Sequence, residues 1–161
     1  MLEPLTEGHA VEMAGTLADR RHYTFTGGAP PTLAELASRY AAQGLERSPD
    51  GTQRWLNWVL RERSSGAAMG YLQATLTADR GGCTADLAWV IGPAHQGRGF
   101  ATEGAERVVR WLGARGVARL RARIHPDNRA SVGVALKLGL TATAFAGEVT
   151  WEGWSAPNPG R

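Results

Sequence analysis

Gln96-Gly97-Arg98-Gly99-Phe100-Ala101-Thr102 is the most informative stretch of this 161-residue chain. Before it runs Asp86-Leu87-Ala88-Trp89-Val90-Ile91, a short apolar segment that reads as a strand closed by Gly92-Pro93. After it, Ala105, Val108, Val109 and Leu112 recur at helical spacing from Ala101 to a stop near Gly113–Gly116. Strand, glycine-rich turn and helix in that order make a cradle for an anion. Gly97 and Gly99 let successive backbone N–H groups converge without Cβ obstruction. The helix start behind them adds unpaired donors and partial positive charge. Arg98 and Thr102 can add side-chain donors, and a pyrophosphate is the natural guest.

Three readings of the loop compete. A turn with no ligand needs neither Gln nor Arg, nor a helix start directly after it. A dinucleotide fingerprint needs a small residue where Thr102 stands, and an acid about 20 residues on, where Arg119, Arg121 and Arg123 lie instead. The third is the coenzyme A loop Gln/Arg-x-x-Gly-x-Gly/Ala, whose fixed positions Gln96, Gly99 and Ala101 all satisfy.

Outward from the loop, the pattern is that of a mixed α/β domain. Val117 to Ile124 alternates Arg with Ala118, Leu120, Ala122 and Ile124, a strand with arginines on its wet face. Asn128 is a suitable N-cap for a helix over Ala130 to Leu138 that stops at Gly139. Leu140 to Trp154 reads as a hairpin around Gly147, with Pro157 to Arg161 a frayed tail. Upstream, Arg54–Arg61, Ala68–Leu76 and Asp86–Ile91 form an antiparallel meander, joined by turns at Ser64–Gly66 and Asp79–Gly82. Thr6 opens a helix through Ala10, Ala14 and Leu17. Thr32-Leu33-Ala34-Glu35 is a capping box for a second helix that ends near Gly44.

The strand, the loop, the helix after it, Asn128-x-x-Ser131 and Leu136-Lys137-Leu138-Gly139-Leu140 occur in an order that resembles the GCN5-related N-acetyltransferase (GNAT) family. Within it, they are most similar to RimJ/RimL-type ribosomal-protein N-terminal acetyltransferases. The resemblance is firm over about residues 84–141, with Ala88 where Gly is common and Leu140 where Phe is common. Leu2-Glu3-Pro4-Leu5 looks like the end of the family's first strand. The fold this implies is a mostly antiparallel α+β sheet that splays between its fourth and fifth strands, flanked by about four helices, in one domain over 1–161. The implied co-substrate is acetyl-CoA, with no metal. By the resemblance, the loop Gln96, Gly97, Arg98, Gly99, Phe100, Ala101 and Thr102 binds it, with backbone N–H groups of Arg98, Gly99, Ala101 and Thr102 on the pyrophosphate. Val90 and Ile91 bond the pantetheine as if it were a further strand, and Asn128 contacts the same arm.

Acetyl transfer needs a neutral amine, stabilisation of a developing oxyanion and a proton for the leaving thiolate. Ser131 stands where relatives place a serine near the coenzyme sulfur, which makes it the candidate acid; the plain alternative is a serine bonding within the first helical turn. The N–H of Val90 or Ile91 is the candidate oxyanion donor. Asp86 matches a position where relatives often carry Glu, and is the candidate base; a solvated strand end is its plain alternative. His9, His22 and His125 are further base candidates. An α-amino group with a pKa of about 7.7–8.0 is roughly 10–20% neutral at pH 7, against about 0.04% for a lysine amine. A weak base therefore suits a peptide N-terminus, the leading acceptor. A small-molecule amine and a non-catalytic acyl-CoA-binding module are the alternatives. Trp55, Trp58, Trp89, Tyr23 and Phe25 read mainly as packing, with one or two walling the acceptor cleft.

Composition sets the outer bounds. The net charge is +3, with seventeen Arg and a single Lys, Lys137. That Lys precedes Leu138, so a Walker phosphate loop is excluded. Its place at a helix end reads as a C-terminal helix cation. The lone Cys83 supports no internal disulfide framework and no cysteine zinc site. A weak and scattered basic excess with no reader motif points away from nucleic acid. No apolar run reaches the roughly 18 residues of a membrane span, and Met1–His9 is not a secretory signal. The expectation is a cytoplasmic protein, monomeric or paired through its C-terminal hairpin and Trp151.

Overall fold

A computed structural model describes residues 1–145 and 148–154. The hairpin tip at Gly147 and the tail from Pro157 lie outside the described residues. The elements run β1 (Leu2–Pro4), α1 (Ala10–Leu17), α2 (Leu33–Gly44), β2 (Gln53–Arg61), β3 (Ala68–Asp79) and β4 (Gly82–Ile91). They continue with α3 (Phe100–Gly113), β5 (Val117–Ile124), α4 (Arg129–Lys137), β6 (Thr141–Phe145) and β7 (Glu148–Trp154). The first strand is only three residues long. Thr6 opens a 3-10 turn, Glu7–His9, which leads into α1. The capping box at α2 is closed from both sides: Glu35 N–H donates to Thr32 Oγ1, and Thr32 N–H donates to Glu35 Oε2 at 2.8 Å.

All seven strands share one sheet in the order β1-β2-β3-β4-β5-β7-β6. Every pairing is antiparallel except β4 with β5, which is parallel. A core of Leu60, Leu72, Leu87, Leu112 and Leu120 fills the space under α3 and α4. On the other face Met13, Leu36, Tyr40 and Val59 form a second cluster under α1 and α2. Trp151 is 8% exposed and belongs to the first cluster. Burying an aromatic on a central strand fills more core volume than any smaller residue there would.

The alternation expected along β5 holds for Leu120, Ala122 and Ile124, all buried. It fails at Ala118, which is exposed, while Val117 is buried. The pairing steps from Cys83↔Val117 to Thr84↔Arg119, so Ala118 is the extra residue of a bulge, which resets the faces.

Beyond Asp86↔Arg121, β4 and β5 are no longer paired. On its far side, β4 remains paired with β3 through Gly70↔Ile91. β5 turns to β7, from Arg119↔Trp154 to Ile124↔Val149. The sheet therefore forks inside the molecule, and residues 87–91 keep one open edge.

Arg61 fastens the other end of the sheet. Its guanidinium binds Glu3 of β1 and Glu12 of α1, the latter through both carboxylate oxygens at 2.8 and 2.5 Å. These bonds hold both carboxyl groups below the ordinary glutamate value, chiefly through the hydrogen bond from Arg61. The stabilisation is thus complete above the normal carboxylate range and disappears as pH falls through the lowered values. Arg61→Ala is expected to lower Tm by roughly 4 °C at neutral pH, screened by the half-exposed carboxylates. The gap from the parent should close on acidification. A gap constant with pH overturns this assignment.

Candidate functional site

A 3-10 turn at Pro93–His95 carries the chain from β4 into the glycine loop. Gly97 has φ 72° and Gly99 φ 81°, both left-handed, and a Cβ at either would meet nothing within 4 Å. Gly99 is the N-cap of α3. The first intrahelical bond is Glu103 N–H to Gly99 C=O at 3.0 Å, and no side chain caps the helix. The N–H groups of Phe100, Ala101 and Thr102 therefore lack partners among the described residues, at the edge of open space. An anionic diphosphate fits these donors and this gap.

Two loop side chains serve the scaffold. Gln96 Nε2 donates to Ile91 C=O at 2.8 Å, tying the loop to the end of β4. Arg98 reaches Glu62 at 3.2 Å, its guanidinium 4.8 Å from the centre of the Phe100 ring. Its side chain thus points toward the β2–β3 connection, leaving its backbone to the cradle.

The open edge of β4 follows from the ladder. Gly92 N–H donates to Met69 C=O, and Val90 lies opposite Tyr71 in the same register. Alternation in an antiparallel pair turns the backbone groups of Val90 and Ala88 toward β3, and those of Leu87, Trp89 and Ile91 toward the fork. The Ile91 carbonyl is occupied by Gln96. Of the two strand residues singled out in the sequence, Ile91 has its backbone on the open edge, and Trp89 joins it there.

Over the sheet face beside this edge packs α4. Asn128 is its N-cap, with Oδ1 accepting from Ser131 N–H at 3.1 Å. Ser131 Oγ accepts a hydrogen bond from the indole N–H of Trp89 at 3.2 Å. Helix and strand are thus joined across 42 residues of sequence.

Asp86 is placed at the root of the fork, where both carboxylate oxygens are engaged by Arg121 at 2.6 and 2.7 Å. The carboxylate raises the pKa of Arg121, mainly through this hydrogen bond. A proton acceptor already bound twice by a guanidinium is a poor base, and the pair is better suited to holding β4 and β5 together where they part. Neither Arg121 nor the indole bond of Trp89 was legible in sequence. The register between β4 and β5 is not encoded locally, although a half-buried indole does demand some acceptor.

The histidines divide clearly. His9 is 6% exposed, takes Thr6 N–H on Nδ1 and faces Glu3 through Nε2 at 3.3 Å, a structural role. His22 Nε2 lies 3.1 Å from Thr16 C=O. His125 is exposed at the end of β5, its ring 5.4 Å from Phe25. The loop after α1 therefore meets the tip of β5 at the mouth of the fork. Tyr23 is tied to Leu17 C=O through its hydroxyl, and Trp58 packs edge-on against Trp111. No cluster of three or more His, Cys, Asp or Glu among the described residues could hold a metal, and no helix there is long and apolar enough to cross a membrane.

A glycine loop at a helix start lies beside a sheet that forks at its fourth and fifth strands. The family model for the acetyltransferase (GNAT) domain matches residues 1–141. The chain belongs to the GNAT acetyltransferase family. Among solved structures, a domain from Methanocaldococcus jannaschii shares 18% identity at a TM-score of 0.76, covering 96% of this chain and 97% of that one. An acetyltransferase from Thermus thermophilus shares 24% identity at a TM-score of 0.70, with 96% of each chain covered. The aminoglycoside acetyltransferase AAC(6')-Ib, solved in complex with coenzyme A, shares 18% identity at a TM-score of 0.74, covering 96% of this chain and 94% of that one. These likenesses establish the fold. No curated protein matches the chain.

Proposed function

We propose that this protein is an acetyl-CoA-dependent N-acetyltransferase, a single domain over residues 1–161 that acts in the cytoplasm. It moves acetyl directly to a primary amine, and its preferred acceptor is a peptide or protein N-terminus, as in RimJ/RimL-type enzymes. The observation that carries the reading is the fork. An open strand edge at residues 87–91 runs straight into the unpaired N–H groups at the start of α3. A ligand with an amide-bearing arm and a diphosphate would satisfy both at once. Coenzyme A has that shape, and a structure of this fold holds it.

The donor, when bound, supplies a thioester carbonyl activated toward amines. The chain's residues do the rest. The backbone N–H groups of Arg98, Gly99, Ala101 and Thr102 would hold the diphosphate, Ile91 and Trp89 would bond the pantetheine arm, and Asn128 Nδ2 would contact the same arm. A backbone N–H on the open edge would stabilise negative charge on the carbonyl oxygen. Ser131 would protonate the leaving sulfur. Proton removal from the amine falls to water in the fork, because Arg121 occupies Asp86; an α-amine is sufficiently neutral at pH 7 for this.

A small-molecule acceptor is the second reading. AAC(6')-Ib has been solved with ribostamycin and with paromomycin, so this fold can admit a cationic amine. Here Arg121 is offset by Asp86, but Arg123, near the end of β5, is exposed without a partner among the described residues. A cation there opposes a polycationic acceptor. A screen for CoA release with short peptides of varied first residue, aminoglycosides and amino acids decides the matter. Turnover is expected with peptides, and turnover confined to small molecules overturns this acceptor. Binding of acetyl-CoA with no turnover on any amine would make the protein a binding module.

A further inference from the structure

We propose that Trp89 is a positioning residue for acetyl transfer, its indole N–H fixing the Ser131 hydroxyl so that the proton is presented to the departing sulfur. The proposal rests on the reading of Ser131 as the acid. A serine hydroxyl has one proton to give and lone pairs that accept. Trp89 Nε1–H occupies a lone pair of Ser131 Oγ at 3.2 Å. The Ser131 backbone is pinned separately by Asn128 Oδ1 at 3.1 Å. No acceptor among the described residues takes the hydroxyl proton, which leaves it available to a ligand in the fork. A hydroxyl that accepts a hydrogen bond is also polarised toward donating its own.

Trp89 does this from a particular place. Its side chain packs against the core beneath α4, while its backbone groups face the open edge of β4. One residue thus ties the strand with the open edge to the serine of the helix that packs beside it. Ring packing alone needs no nitrogen, and phenylalanine would fill much of the same space. The indole N–H is what the serine uses.

The proton balance is simple. When the carbon–sulfur bond breaks, its electron pair stays on sulfur, which takes the Ser131 Oγ proton and leaves as thiol. Water returns a proton to the serine oxygen and receives the one lost by the amine.

The test uses the full chain. Trp89→Phe is expected to lower kcat roughly tenfold, the loss of one hydrogen bond, with KM for acetyl-CoA within about twofold. In a Ser131→Ala background the same change should have no further effect, whereas a purely structural role would cost the same in both. A second readout needs neither turnover nor acetyl-CoA. The indole ¹H–¹⁵N cross-peak that Trp89→Phe removes should move upfield in Ser131→Ala. Should Trp89→Phe fold poorly, a benzothienylalanine at position 89 removes only the N–H and is read the same way. Equal losses in both backgrounds, or an unmoved cross-peak, overturn the proposal. An unchanged kcat in Ser131→Ala overturns the acid reading as well, and a moved cross-peak would then show that the hydrogen bond exists without a catalytic use.

Discussion

Gly99→Val is expected to abolish acetyl-CoA binding by calorimetry while the sheet still melts cooperatively. Gly99 sits at φ 81° as the N-cap of α3, a conformation that costs an L-residue about 1–2 kcal/mol and a β-branched one more. A Cβ at this position would have no atom within 4 Å, yet that open space is no sign of tolerance. The N–H groups of Phe100, Ala101 and Thr102, without partners among the described residues, follow directly, and a valine side chain would add bulk beside them. Strain and obstruction act together, so affinity is lost rather than reduced. An affinity equal to the parent's would overturn the cradle.

The second large effect is expected at Ser131. Ser131→Ala removes the only hydroxyl on α4 near the fork but none of the packing that holds the helix, since Val134 and Ala135 are its buried residues. General acid catalysis contributes about 10²–10⁴-fold, so kcat should fall roughly 100-fold with KM for acetyl-CoA little changed. The alanine also leaves the indole of Trp89 without its acceptor, at a modest cost in Tm. A kcat within twofold of the parent would remove Ser131 from the chemistry.

Much of the fold was legible because its signals are local. The capping box at Thr32, the cap at Asn128 and the alternation of β5 from Leu120 onward each depend on a few neighbouring residues, and each is found in place. The glycine loop was legible for the same reason, since left-handed glycines leave a mark in sequence. What was not legible depends on register. Asp86 reads as a lone acid in a strand, and only the parallel pairing with β5 reveals that Arg121 lies directly across from it. The bulge at Ala118 inverts the expected face of one residue by the same kind of non-local step. Trp89 was hidden in another way. Its ring packs as an apolar residue at that position should, and its nitrogen acts on a helix that arrives 42 residues later. Gln96 and Arg98 fit the loop pattern by residue type, yet their side chains bind Ile91 and Glu62, so a match in sequence did not fix where the groups point.

The strand order carries a consequence for how the molecule is made. β7, the last strand in sequence, is not at the margin of the sheet but lies between β5 and β6. Over residues 87–91 the far wall of the fork has β7 as its sheet neighbour and nothing else. During synthesis, β4, the glycine loop and α3 are complete long before that neighbour exists. A chain halted before Glu148 would carry every residue of the cradle and still lack a supported second wall. The polypeptide thus completes the residues of its glycine loop early, and the strand that backs the far side of its fork comes last among the described elements.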